Sequence, residues 1–313
     1  MSGSKNKLEQ INMKIIFFGA GYCTNYIIPL LPKNARIICT HNEEIKPQKY
    51  DEQLNIKRLR LNAFIEQKDF HLSDSNFILN SIPPKSEGDL ILKHLSKTII
   101  KFSQNIKWYG YFSSTSVYGN HSGKWVDENS NLNPTNLRGK LRKKSEIQHL
   151  ELYKLYNIPI HIFRLPGIYG PERSIFERLQ LGQKIQIVKK GHFFSRIHVE
   201  DIANAVFQSM RKITPGEIFN ICDDMPSQSD EIVKYAAKLM NIKNVKSVNF
   251  NDSKLNEKTK SFYLDNKKVK NDKIKKILNW TPKFRTYKLG LNNIFNLKVN
   301  ENSSTNTSLT EKN

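Results

Sequence analysis

A doubly wound parallel α/β sheet is the fold class this sequence predicts, and three observations carry it. Short apolar runs alternate with amphipathic stretches, the first run ends in Gly19-Ala20-Gly21, and a helical pattern follows that turn. Strand, tight turn, helix and strand open a parallel βαβ unit, whose strands read as unbroken apolar runs because both faces are covered.

The elements follow in order. Residues 13–18 (MKIIFF) form the first strand, and Tyr22, Tyr26, Ile27, Leu30 and Leu31 then recur at helical spacing until Pro32 stops them. Residues 35–39 make the second strand. The run at 77–82 closes on Pro83-Pro84 as a strand, 89–102 is a helix, 107–114 an aromatic strand and 145–156 an amphipathic helix. A strand at 158–165 (IPIHIFRL) ends in Pro166-Gly167, followed by a helix at 199–210 and a strand at 217–222. Beyond Asp223 the pattern is mostly helical, with a turn at Trp280-Thr281-Pro282. The expected organisation is a core over 13–169, to which 197–222 returns, and a smaller substrate lobe from 170–196 and 223–297. Residues 1–12 and 298–313 lack apolar periodicity and are expected to be loose, disordered tails.

A chain of 313 residues with 38 % apolar residues can bury a large core. Its formal charge of +21 raises the question of nucleic acid. The lysines, however, are scattered from Lys5 to Lys312 with no dense block and no aromatic interleaving. Solvated faces explain such a distribution, and nucleic-acid binding is set aside. Cys23, Cys39 and Cys222 are too widely spaced for a disulfide framework or a metal quartet. No apolar run is long enough to cross a bilayer and residues 1–12 hold no signal-peptide core, so the cytoplasm is the expected compartment and no membrane partner is expected.

The glycine turn has a specific use. Gly19 permits the sharp exit from the strand, and Gly21 lets backbone, including that of Tyr22 and Cys23, approach a pyrophosphate at the positive end of the next helix. This is the opening of a Rossmann fold. The third position of the G-x-G-x-x-G pattern is Thr24, so the weight rests on its place at the strand end. An NAD site wants an acidic residue at the end of the second strand. Here the strand ends Cys39-Thr40-His41-Asn42, with Glu43 and Glu44 arriving later. Thr40 is therefore read as a cofactor contact and NADP is favoured over NAD, although no arginine stands in that stretch to bind a 2′-phosphate.

Ser113-Ser114-Thr115-Ser116-Val117-Tyr118-Gly119 resembles the S-S-x-x-V-Y-G strand end of extended short-chain dehydrogenases, the superfamily of nucleotide-sugar epimerases and dehydratases. Trp125-Val126-Asp127-Glu128, the stretch from Arg164 to Pro171, Arg196-Ile197-His198-Val199-Glu200-Asp201 and Phe219-Asn220-Ile221 match further motifs in the right order, so the resemblance spans roughly 13–297. The second-strand end, the Ile82-Pro83-Pro84 turn and the S-R-I-H-V-x-D-I run are similar to an atypical bacterial subgroup. The resemblance implies a bound nicotinamide dinucleotide, with Ile82, Pro83, Ser113 and Ser114 lining the nicotinamide side and Ser114 bonding substrate. Extended members often pair through a four-helix interface. A homodimer here would use 89–102 and 138–156, the second very basic at its start.

One departure bears on chemistry. Active members carry Y-x-x-x-K, in which the tyrosine is the general acid/base and the lysine lowers its pKa and binds ribose. The local pattern puts Arg138 and Arg142 at those positions, and no tyrosine lies between Gly119 and Tyr153. Arginine, with a pKa above ~12, cannot shuttle protons at neutral pH but holds anions bidentately. Four residues apart on a helix, the two are expected to share one face as an anion clamp, Arg142 keeping the ribose contact. Lys143 and Lys144 read as a solvated face. Tyr118, Tyr169, His121, His198 and Cys23 are other conceivable acids, and packing is the better reading of each. Two functions stand. The first is an NAD(P)-dependent oxidoreductase or epimerase-like enzyme on a small, phosphorylated or nucleotide-linked substrate, favoured by the retained motifs. The second is a non-catalytic dinucleotide sensor or scaffold, favoured by the missing tyrosine.

Overall fold

The computed structural model describes residues 12–43, 51–251 and 255–310. Seven parallel strands form the central sheet: β1 (Lys14–Phe18), β2 (Arg36–His41), β3 (Ile56–Arg60), β4 (Phe77–Asn80), β5 (Trp108–Ser114), β6 (Ile160–Leu165) and β7 (Ile218–Asn220). Their spatial order is β3-β2-β1-β4-β5-β6-β7, which reverses between β1 and β4 and opens a crevice at the carboxyl ends of those strands. β1, β4 and β6 are buried at every residue, because helices cover both faces of the sheet.

Alternation along β1 shows the two layers. Ile15 and Phe17 pack with Ile202 and Val206 of helix α4 (Val199–Arg211), while Ile16 and Phe18 pack with Leu95 and Ile99 of α2 (Leu90–Lys101). Asp89 caps α2 by accepting from the amides of Ile91 and Leu92. Helix α1 (Tyr22–Ile27) follows the glycine turn, and α3 (Leu137–Tyr156) starts at Asn136, whose side chain accepts from the Gly139 amide.

Several boundaries differ from expectation, each for a physical reason. α1 ends at Ile27 and passes into a tight turn, Ile28–Leu30, because Pro29 has no N–H to continue the helix. α3 begins well before residue 145. Its first turns, LRGKLRKK, carry no apolar spacing, and the Asn136 cap rather than hydrophobicity sets the start. β3 was not foreseen. It is an edge strand of sequence IKRLR, half-exposed, and polar residues interrupt its apolar pattern.

A separate cluster builds the lobe from Phe176, Ile232, Val233 and Ala236 with Tyr287, Leu291 and Ile294 of helix α5 (Tyr287–Thr310). This helix runs through residues 298–310, where a loose tail was expected. Its apolar first turns are anchored in the lobe, Lys298 pairs with Glu177 at 2.7 Å, and extending a nucleated helix is easy. Of the other expected tail only Asn12 lies within the described residues. Its carbonyl accepts from Asn76 Nδ2 at 2.8 Å. Ile274, Leu278 and Trp280, read as lobe, pack instead in the core cluster with Phe219 and Ile221. Short parallel pairs tie the parts together, Arg196–His198 with Gly167–Tyr169 and Lys268–Val269 with Trp125–Val126. Among the described residues no helix is long and apolar enough to cross a membrane.

Candidate functional site

Gly19 leaves β1 at φ +78°, and a Cβ there would stand 2.7 Å from Ile82 Cγ1. Both facts require glycine. The turn is braced from two neighbouring strands. The Gly19 amide donates to Thr40 Oγ1 at 3.2 Å, the Ala20 amide to the Thr40 carbonyl at 3.0 Å, and Ser81 Oγ donates to the Gly19 carbonyl at 2.6 Å. Thr40 is fully buried, and its hydroxyl also reaches the Phe17 carbonyl at 3.4 Å. This corrects its reading as a cofactor contact: a hydroxyl that satisfies buried backbone inside the turn is turned away from any ligand. Ser81 escaped the sequence reading. Its signal is a polar residue directly after a buried strand that faces a glycine turn.

Gly21 is different. Its backbone is extended (φ −131°, ψ −151°), it is exposed, and a Cβ would meet nothing nearer than the Gly19 carbonyl oxygen at 3.8 Å. Neither conformation nor packing within the chain asks for glycine here. α1 begins at the next residue with no side-chain cap. The Tyr22 hydroxyl turns away and donates to the Pro171 carbonyl at 2.8 Å, with the Arg173 guanidinium 5.4 Å from its ring. Burial pushes the half-buried Cys23 thiol up to about 11, which leaves it a thiol at neutral pH. Ile82 lies against Gly19, its amide donating to Asn80 Oδ1 at 3.1 Å, and Pro83 is exposed.

At the end of β2 an arginine is present after all, contributed by the unforeseen β3. Arg58 Nη1 lies 3.3 Å from His41 Nε2. The same guanidinium is held twice by Asp51, Nε to Oδ2 at 2.7 Å and Nη2 to Oδ1 at 3.0 Å. Glu43 is exposed, and Glu44 lies outside the described residues.

Beneath the sheet ends runs a closed polar network. Ser113 Oγ donates to Glu146 Oε1 at 2.5 Å, Arg164 donates to both Glu146 oxygens and to the Tyr118 hydroxyl, and that hydroxyl donates to Asn220 Oδ1 at 2.7 Å. Ser113 is therefore an interior residue and not a wall of the nicotinamide side, a second correction. Burial raises the Tyr118 and Tyr169 hydroxyls far above their usual range and pulls His198 down to about 4. His121 Nε2 sits 3.0 Å from the Tyr118 carbonyl oxygen.

A cleft of about 640 Å³ opens between core and lobe. Ser114, Thr115 and Ser116 line it from the end of β5, and Asn136, Leu137 and Arg138 from the start of α3. Arg173, Arg196, Phe262, Asp265 and Lys267 line the lobe side. Ser114 Oγ accepts from the Ser116 amide at 3.2 Å, which leaves its own proton for the cleft. Arg138 holds its guanidinium 5.8 Å from the Phe262 ring, across the opening. Arg142, one turn on, points back to the sheet and donates to the Phe112 carbonyl and, at 3.2 Å, to the Tyr111 hydroxyl. The two arginines do not form the expected clamp. They start from one face of α3, but Arg142 turns back to acceptors on β5 while Arg138 reaches over Phe262. Lys143 donates to the Leu132 carbonyl at 2.8 Å rather than standing free in solvent.

Cations dominate the lining. Arg196 donates to the Phe194 carbonyl and Ser227 Oγ, both at 2.9 Å, so the acceptors it meets are neutral, and burial lowers its pKa. Arg173 and Arg196 also border an adjoining space of about 240 Å³ together with Arg178. Asp265 is the acidic residue among the cleft's lining residues, against Arg138, Arg173, Arg196 and Lys267. Such a cleft draws in anions.

The profile of the NAD dependent epimerase/dehydratase family matches residues 93–222. A conserved protein of unknown function from Silicibacter pomeroyi DSS is 35 % identical in sequence, superposes with a TM-score of 0.80, and is matched over 90 % of this chain and 98 % of its own. A dTDP-glucose 4,6-dehydratase from Bacillus anthracis, solved in complex with NAD, shares the fold at a TM-score of 0.72 and 19 % identity over 91 % of this chain and 96 % of its own. The dTDP-D-glucose 4,6-dehydratase of Dictyostelium discoideum is 24 % identical over 286 residues, which cover 76 % of this chain and 64 % of the relative. The chain thus spans less than two thirds of the length of the curated dehydratases it matches, down to 41 % for the human one.

Proposed function

The chain belongs to the NAD dependent epimerase/dehydratase family, and from that premise we propose that it is a nicotinamide-dinucleotide-dependent enzyme of the epimerase, dehydratase or reductase type acting on an anionic, phosphorylated or nucleotide-linked substrate. The carrying observation is Gly21. A glycine that neither its backbone nor its neighbours require, exposed at the mouth of the glycine turn, fits a position where a ligand's pyrophosphate must come close to the backbone. The turn from Gly19 to Cys23 would hold that pyrophosphate, with Ile82 toward the nicotinamide. The bound dinucleotide supplies the hydride acceptor and donor. The excess of guanidinium groups in the cleft supports an anionic substrate, and Ser114 is the hydroxyl that would orient its reacting oxygen.

Cofactor preference turns on two neighbouring charges. Arg58 beside His41 and the lack of an acid at Thr40 to Asn42 favour NADP, while Asp51, which already balances Arg58, favours NAD. Titration of the protein with NADPH and NADH, followed by nucleotide fluorescence, tests both points. Saturable binding that Gly21→Arg abolishes is expected, and folded protein that binds neither nucleotide overturns the reading.

A second reading rests on one observation. No tyrosine lies between Gly119 and Tyr153, and Arg138, which the sequence pattern aligns with the family's acid, lines the cleft. In that reading the chain binds dinucleotide without turnover and reports its level. Binding of dinucleotide with no exchange of hydride toward any sugar nucleotide would favour it.

A further inference from the structure

The cleft contains a lysine that the charge count hides. Residues 265–268 cross from the lobe to the core and are held at each step. Asp265 accepts from Thr135 Oγ1 at 2.5 Å and from Asn136 Nδ2 at 3.3 Å, so it docks on the residue that caps α3. Asn266 accepts from the Phe193 amide at 3.0 Å and donates through its own amide to Asn120 Oδ1 at 3.1 Å. Lys268 and Val269 add a parallel strand to Trp125 and Val126. Lys267, between these fixed neighbours, lines the cleft and is 8 % exposed. Its Nζ lies 3.8 Å from Asp265 Oδ2, too far for a hydrogen bond.

Two consequences follow from that position. Lys267 shares the cleft with Ser114 and with Arg138, the residue that the sequence pattern aligns with the family's tyrosine. Burial also pulls its pKa below the ordinary lysine value, with Asp265 acting against the shift. Asp265 on its own segment acts directly on the amine, His192, which burial holds near 4 and therefore neutral, is close enough to feel its charge, and Arg138 from α3 and Arg196 from the strand at 196–198 line the same cleft. A buried lysine without a hydrogen-bonded counter-charge can give up and regain a proton in a range where a solvated one cannot.

We infer that Lys267 is the proton-transfer residue of this cleft, acting on the same substrate oxygen that Ser114 bonds and replacing the absent tyrosine. The inference rests on the dinucleotide-enzyme reading above. In the oxidative direction the carbinol carbon loses its hydrogen with both electrons to an oxidised nicotinamide dinucleotide. The hydroxyl proton passes to the neutral Nζ, leaving a carbonyl and an ammonium. Reduction runs the same exchange backwards, the ammonium protonating the carbonyl oxygen as hydride arrives.

The test combines a titration with kinetics. Protein carrying ¹³C at lysine Cε is titrated by NMR, and the Lys267 resonance is identified by its loss in Lys267→Arg. Its midpoint is expected below those of the surface lysines. Lys267→Arg and Lys267→Met, each checked by thermal melting, should bind NADH or NADPH as the wild type does. Both should lose about a hundredfold or more in kcat/KM toward a sugar nucleotide that the wild type turns over. Asp265→Asn should lower the midpoint further. A midpoint among the surface lysines, or full turnover by either Lys267 variant, overturns the assignment while leaving the dinucleotide reading intact. Wild-type protein that binds no dinucleotide overturns both.

Discussion

Arg164 and Glu146 meet in the interior, Nη2 to Oε2 at 2.8 Å, with neither side chain more than 3 % exposed. Ser113, Tyr118 and Asn220 complete the bonding around them. Glu146→Gln leaves the guanidinium in a medium of low polarity without its counter-charge. Urea unfolding should show a loss of about 3–5 kcal/mol. Ser113→Ala, which removes one hydrogen bond and no charge, should lose about 1 kcal/mol. Equal small losses for both would mean that solvent reaches the pair.

The two glycines of the turn separate folding from binding. Gly19→Ala forces a side chain to φ +78° against Ile82 and should cost roughly 1–2 kcal/mol or more in unfolding experiments. Gly21→Ala meets no such obstacle, so its stability should stay within about 0.5 kcal/mol of wild type. Its dinucleotide affinity should nevertheless fall about tenfold, near 1.4 kcal/mol. The opposite pattern, a stable Gly19→Ala and an unimpaired Gly21→Ala, would remove the glycine turn from the binding site.

Arg138 and Arg142 should behave differently despite sharing a helix face. Arg142 bonds the end of β5, and Arg142→Ala should lower stability by about 1–2 kcal/mol. Arg138→Ala gives up only an exposed contact over Phe262. Stability should hold, while the affinity for nucleoside diphosphate sugars, read by calorimetry, should weaken.

Acid should destabilise the fold through buried histidines. His161 lies wholly inside, stacked on Trp108, and its Nε2 accepts from the Thr214 amide at 2.9 Å. Burial lowers it from 6.5 to about 4. Because the folded pKa lies below the unfolded one, the unfolded chain takes up the proton first. The stabilisation is whole above pH 6.5 and disappears as the pH falls through 4, on the order of 3 kcal/mol for this residue. Urea midpoints measured from pH 7 to 4 should fall steadily, and His161→Gln, which keeps an acceptor but cannot titrate, should fall less steeply.

Apolar density decided what was legible beforehand. β1, β4 and β6 are covered on both faces, so no polar residue breaks their runs and the sheet's centre reads directly. β3 lies at the edge, where Lys57, Arg58 and Arg60 mask it, and Arg58 beside His41 went unseen with it. The direction of a side chain at a strand end is not a local property. Thr40 and Ser113 stand where ligand contacts are expected, yet their partners, the Gly19 amide and Glu146, are 21 and 33 residues away in sequence. Lys267 is hidden for the opposite reason. A Lys-Lys pair in a polar stretch looks solvated until Asp265 docks its segment onto the cap of α3.

The packing of Ile274, Leu278 and Trp280 against Phe219 and Ile221 orders events during synthesis. All seven strands and the glycine turn have left the ribosome once residue 222 emerges. Phe163 already packs on Phe219 by then, but the part of the last strand that Ile274, Leu278 and Trp280 cover stays open until the chain through residue 280 follows it. Until then the nascent sheet presents a sticky flank to its surroundings, a surface that chaperones would hold and that a nascent chain stalled in that interval would expose to aggregation.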